Sequence, residues 1–279
     1  MRQIKKILFP VDFSDSSVGA ARHVEALAGQ FDAEIMLLHA VGMGEHTLAE
    51  ERMPAEQARL DAFLAGELKY FTTQRVCVIA DDPAQAIAEA AQSWGPDLVM
   101  MATHGLGFFR RHLLGSVTTK TLHDVACPIW TDVHAESTPS LEEIHCRRIL
   151  CSVDLGECSR GILESAAWLA GEYQATLGIV HATAATDVLD AGWQLRDELA
   201  RYILEQAKIR INALQMDAGT SAEVFIDAGN PSAVVPRAAG QFNADLLVIG
   251  RHRSAGLIGD LFQSALPILG GSPCPVISI

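Results

Sequence analysis

The sequence is short of the features that several functional classes require. No apolar run approaches the roughly 20 residues of a membrane span. Basic charge is scarce: 21 Lys and Arg against 34 Asp and Glu leave a formal net charge of −13. That balance argues against nucleic acid or an anionic membrane as the main partner, because both need clustered cations. A compact basic spot is Arg110-Arg111-His112. The six cysteines form no C-x-x-C pair, and their scatter suits reduced thiols. His145-Cys146, Cys151 and Cys158 raise a metal site, but Cys151 falls in an apolar strand where a buried thiol is ordinary. There is no Gly-Lys-Ser/Thr phosphate loop and no evident catalytic base, so efficient nucleotide hydrolysis is not expected. The opening Met1 to Lys6 runs into a strand rather than a signal peptide, and a cytoplasmic protein is expected.

What is present is one unit written twice. At 279 residues the chain is long for one domain and comfortable for two. Val11-Asp12-Phe13-Ser14 through Leu37-Leu38-His39-Ala40 aligns without a gap with Val153-Asp154-Leu155-Gly156 through Ile179-Val180-His181-Ala182. Later landmarks recur as well: Pro83 with Pro231, Asp97-Leu98 with Asp245-Leu246, His104 with His252, Ser116 with Ser264, Cys127-Pro128 with Cys274-Pro275. A repeat of this length means two domains of one fold. In the first copy the patterning predicts strands near 6–11, 34–40, 75–79, 98–102 and 129–133. Helices are predicted near 16–31, 55–73, 83–94 and 116–125. Such alternation implies an α/β fold, a parallel sheet covered on both faces. The expected domains are 1–133 and 147–279, joined by a Ser-, Thr-, Glu- and Pro-bearing linker over 134–146.

The stretch from Met101 to Val117 leaves the carboxyl end of a strand, where ligands sit in open α/β sheets. It reads Ala102, Thr103-His104, Gly105, nine residues, Gly115, Ser116. This resembles the nucleotide loop of the universal stress protein (UspA-like) family: Gly, two residues, Gly, nine residues, Gly, Ser or Thr. The opening Val-Asp, the Leu-Leu-His strand and the closing Cys-Pro extend the resemblance over both halves, as in tandem members. It implies two Rossmann-like domains of the adenine nucleotide alpha hydrolase-like kind, each a five-stranded parallel sheet. It implies ATP, with Mg, as the ligand of the first half. Pro10, Asp12 and Ala40 would line the nucleoside pocket, and the site would comprise Pro10, Val11, Asp12, Ala40, Ala102, Thr103, His104, Gly105, Gly115, Ser116 and Val117. Asp12 and Ser116 would stand near any Mg. The two halves would pack as an intramolecular pseudo-dimer, with a homodimer of chains as a further arrangement.

Each residue also has a plainer reading. Asp12 and Asp154 suit an Asx turn or cap before the following helix. His39 and His181 suit core histidines bonded to backbone. Asp81 or Asp82 suits the cap of the helix beginning at Pro83. Ala102 puts a methyl where the family commonly has glycine. In the second half, Gly250, Arg251-His252, Arg253, nine residues, Gln263 and Ser264 replace both phosphate-facing glycines, so nucleotide binding is expected to be lost there, with Arg251 and Arg253 as holders of some other anion in the alternative. Three functions follow: an ATP-dependent stress-response switch, an interaction module without nucleotide, or a slow ATPase.

Overall fold

The computed structural model describes residues 1, 3–42, 49–103, 114–132, 140–183, 193–251 and 265–279. The chain divides into two compact units, Met1–His145 and Cys146–Ile279.

The first unit runs β1 (Lys6–Pro10), α1 (Asp15–Phe31), β2 (Glu34–Val41), α2 (Ala49–Ala62), β3 (Thr73–Ile79), α3 (Pro83–Trp94), β4 (Leu98–Ala102), α4 (Ser116–Asp124) and β5 (Ile129–Asp132). Its strands lie in the order β3-β2-β1-β4-β5 and pair in parallel, with Ile7 opposite both Ile35 and Leu98. Ile7, Leu8 and Phe9 are fully buried, as a central strand covered on both faces requires. After β3 the chain returns to the other side of β1, so the direction of winding reverses between β1 and β4. That reversal opens a crevice at the carboxyl ends of these two strands. Among the described residues no helix is long and apolar enough to cross a membrane.

The second unit repeats the plan with β6 (Arg148–Ser152), α5 (Ser159–Tyr173), β7 (Thr176–Thr183), α6 (Trp193–Ala218), β8 (Glu223–Ala228), α7 (Pro231–Phe242), β9 (Leu246–Ile249), α8 (Leu266–Gly271) and β10 (Val276–Ser278). Its order is β8-β7-β6-β9-β10. Small devices recur with the fold. The Asp97 carboxylate accepts the Lys5 and Lys6 N–H groups at 2.7 and 3.0 Å, and Asp245 does the same for Arg147 and Arg148 at 2.7 and 2.9 Å. Lys6 lies over the Trp94 ring and Arg148 over that of Phe242.

One helix departs from the sequence pattern. The expected span 55–73 is instead α2 over Ala49–Ala62, followed by a series of turns with Leu64 at φ +54°. Pro54 is tolerated inside the helix rather than starting it. The far end closes early because Arg75, from β3, donates to the carbonyls of Leu60 and Phe63 at 3.0 and 3.1 Å. A tertiary partner thus takes the last-turn acceptors that a longer helix would have used. Cys151 is buried within β6, and burial pushes its thiol up to about 12.

Candidate functional site

The crevice at the β1/β4 reversal holds a cavity of about 410 Å³. Eight of the residues singled out in the sequence line it: Pro10, Val11, Asp12, Ala40, Ala102, Gly115, Ser116 and Val117. Thr103 stands behind the wall instead; it is buried and donates to the Asp132 carbonyl at 3.0 Å. His104 and Gly105 lie outside the described residues. The structure adds Ser17, Leu38, His39, Pro83, Ile87, Met101 and Thr118. Leu38, Met101 and Thr118 are sequence neighbours of positions already named. Pro83 and Ile87 come from α3, and only the packing of α3 beside the crevice brings them there.

Asp12 performs the local task that the plainer reading gave it. Its Oδ1 accepts from the Ser14 N–H at 3.0 Å, the Ser14 hydroxyl at 2.5 Å and the Ser17 hydroxyl at 2.7 Å. Ser14 in turn caps α1, accepting from the Ser17 N–H. Between them Phe13 is held at φ +62°, a costly conformation for a residue with a side chain. The turn aims Asp12 into the cavity, and Ser17 is there because it completes the same network.

α4 begins differently. Its first residue is Ser116, and Gly115 before it makes no side-chain cap. The first-turn N–H groups of a helix have no intrahelical partner, and here they face the cavity with the positive end of the helix dipole. Gly115 N–H donates to the Thr103 carbonyl at 2.8 Å, and Thr118 Oγ1 donates to the Ala102 and Thr103 carbonyls at 3.3 and 3.4 Å, so the helix start is tied to the end of β4. A Cβ on Gly115 would come within 3.2 Å of the Thr103 carbonyl oxygen. Glycine is favoured here by close approach rather than by dihedral angles, since its backbone is extended at φ −60° and ψ 153°.

His39 forms the wall opposite. Its Nδ1 lies 2.9 Å from the Val11 carbonyl oxygen, which can only accept, so Nδ1 carries the proton. His181 repeats this with Val153 at 2.8 Å, and both are backbone-bonded histidines. His39 Nε2 faces Glu56 Oε2 at 3.9 Å, and Phe13 packs against the ring at 4.4 Å between centroids. Asp82 caps α3, accepting from the Ala84 and Gln85 N–H groups at 3.1 and 3.3 Å, and pairs with Lys120 of α4. The lysine and those N–H groups hold its carboxyl below the ordinary carboxylate range. Asp82 therefore ties the start of α3 to the middle of α4.

A second depression of about 710 Å³ lies between α3 and α4 on their outer sides. Alanines and long polar side chains line it, with no convergent group comparable to the uncapped helix start.

In the second unit Asp154 keeps the turn, accepting from Gly156 N–H at 2.8 Å and Ser159 Oγ at 2.7 Å, with Leu155 at φ +62°. A Cβ on Gly250, the counterpart of Ala102, would collide with Ile162 Cδ1. The residue corresponding to Ile162 in the first unit is Ala20, which explains how the first half accepts a methyl at position 102. Arg251 is buried, 8 % exposed, and its N–H donates to the Ile279 carbonyl at 2.7 Å. His252, Arg253, Gln263 and Ser264 lie outside the described residues.

The family model described as "Universal stress protein family" matches residues 3–131 and 145–279. Universal stress protein MJ0531 of Methanocaldococcus jannaschii is 31 % identical over 139 residues, covering 45 % of this chain and 79 % of its own. Among solved structures, a universal stress protein from Archaeoglobus fulgidus superimposes with a TM-score of 0.70 at 20 % identity, covering 99 % of this chain and 96 % of its own. A protein from Pseudomonas aeruginosa does so with a TM-score of 0.70 at 19 % identity, covering 100 % and 93 %. The likeness of these two structures extends to the fold.

Proposed function

The chain belongs to the universal stress protein family, and from that premise we propose that its first half binds ATP with Mg and uses occupancy as a stress-response switch in the cytoplasm. The observation that carries this reading is the open start of α4, whose first-turn N–H groups face a cavity of nucleotide-compatible size. In this reading the triphosphate lies against Gly115, Ser116 and Val117, and His104 and Gly105 belong to the same sequence motif. The nucleoside occupies the Pro10, Asp12, Ala40 and Ala102 side. Asp12 Oδ1 is engaged in its turn with Ser14 and Ser17. Hard oxygen donors from Asp12 and Ser116 suit Mg, which would screen the charge of the phosphates. In this reading the chain's own residues bind and orient the nucleotide.

The second half is proposed to lack this site, since in the sequence Arg253 and Gln263 replace the two glycines of the loop motif. The test is mass spectrometry of small molecules released from protein purified under native conditions, followed by calorimetric titration with Mg-ATP. One site per chain is expected. Two equivalent sites would overturn the asymmetry, and none would leave the chain as an interaction module.

A further inference from the structure

We infer that the solvent face of α6 is an interface for a second copy of this chain, the two α6 helices lying parallel and in register. Four of the seven large apolar side chains exposed among the described residues sit on this one helix: Leu199 (37 %), Tyr202 (62 %), Ile209 (59 %) and Met216 (82 %). Tyr202, Ile209 and Met216 are seven residues apart, and Leu199, Gln206 and Ala213 fill the alternate positions three and four residues away. That is the three-four spacing of a coiled-coil seam, sustained over about 25 Å of helix. The opposite face carries Ala207, Ile211 and Gln215, all buried, where α6 packs on α5, β7 and β8. The seam therefore points directly away from its own unit. A solvated surface helix has no need of such a stripe, and α2, its counterpart in the first unit, exposes no large apolar side chain.

The flanks of the seam say what covers it. Glu205 borders one side and Arg210 the other, five residues further on. In a parallel pair this spacing places each Glu205 beside the partner's Arg210, giving two attractive contacts related by the twofold axis. Arg210 is already held at the flank by its bond to the Leu155 carbonyl at 2.6 Å. Gln206 meets its own copy across the axis, and a polar pair in an otherwise apolar seam fixes register. Ala213 lets the backbones approach closely. One helix pair lies at the small end of specific interfaces, so the dimer is concentration-dependent.

Sedimentation velocity of the full chain, over concentrations on the order of 1 to 100 µM, tests this independently of nucleotide binding. A reversible monomer–dimer equilibrium is expected. Ile209→Asp should weaken it at least tenfold while leaving unchanged the melting temperature measured at concentrations where the chain is monomeric, because the side chain is exposed. Glu205→Arg and Arg210→Glu should each weaken dimerisation, and mixing the two variants should restore it as a heterodimer. A chain that stays monomeric throughout, a dimer indifferent to Ile209→Asp, or a mixture that fails to recover would each overturn the proposal.

Discussion

Asp12 and Asp154 do the same work at the same place: each accepts from the backbone two residues on and from a serine five residues on, and each precedes a residue at φ +62°. The carboxylate at the head of the crevice is therefore part of how this fold turns from strand to helix, whether or not a ligand follows. What separates the halves is the far side. In the first, a nine-residue helix starts uncapped at Gly115-Ser116 and faces the cavity. In the second, the corresponding α8 is described over Leu266–Gly271 and contains Pro267. The lesson is that the carboxylate turn belongs to the fold as well as to any site, because turn and cap bonds stabilise the fold itself.

The largest effect expected from breaking this comparison is in the core, where the halves have stopped being interchangeable. A Cβ on Gly178 would lie 2.9 Å from Phe242 Cζ and 3.1 Å from Leu150 Cδ1, whereas its counterpart Met36 is a buried full-length side chain. Gly178→Met should cost about 3 kcal/mol through overpacking, read from denaturant unfolding. A stable variant would mean that Phe242 moves aside at little cost.

Asp12→Ala should weaken ATP binding by about 1.5–3 kcal/mol, the range for a charge-assisted hydrogen bond, and Asp154→Ala should leave it unaltered. Both should lower stability by about 1 kcal/mol, since both remove the bonds that set the turn. If Asp12→Ala lowered stability alone, the first carboxylate would be as purely architectural as the second.

Gly115→Gln transplants the second half's Gln263 into the first. ATP affinity should fall at least tenfold, about 1.4 kcal/mol, and adenosine affinity much less. Calorimetry with both ligands decides: equal losses would mean general damage to the α4 start, where even a Cβ comes within 3.2 Å of the Thr103 carbonyl.

The smallest effect concerns acid. Asp82 caps α3 while Asn230, which cannot titrate, caps α7 by accepting from the Ser232 N–H at 3.0 Å. Because the folded Asp82 carboxyl sits below its ordinary value, its contribution is present above the unfolded carboxylate pKa near 3.9 and is lost as pH falls through the lower folded value. Asp82→Asn should keep the cap and flatten the acid side of the stability profile by a small amount. An unchanged profile would mean that the Lys120 pair contributes nothing in solution.

The sequence by itself determined a great deal, and for a physical reason: local and periodic signals survive without coordinates. Val-Asp before a Ser-bearing helix start, the fully apolar strands and the gapless repeat led to the α/β fold, and the resemblance of the loop motif to a known family led to eight residues that line one cavity. Sequence could not say which of them bind and which only turn the chain. Asp12 and Thr103 show why: a carboxylate and a hydroxyl can be spent on a ligand or on neighbouring backbone, and only their distances to Ser14, Ser17 and Asp132 reveal the second use. Only the tertiary structure brought Pro83 and Ile87 to the cavity, stopped α2 at Ala62 through an arginine from the next strand, and matched Ala102 with the small Ala20. Each of these depends on contacts between elements distant in sequence, where the size and charge of one residue acquire meaning from another that local pattern cannot locate.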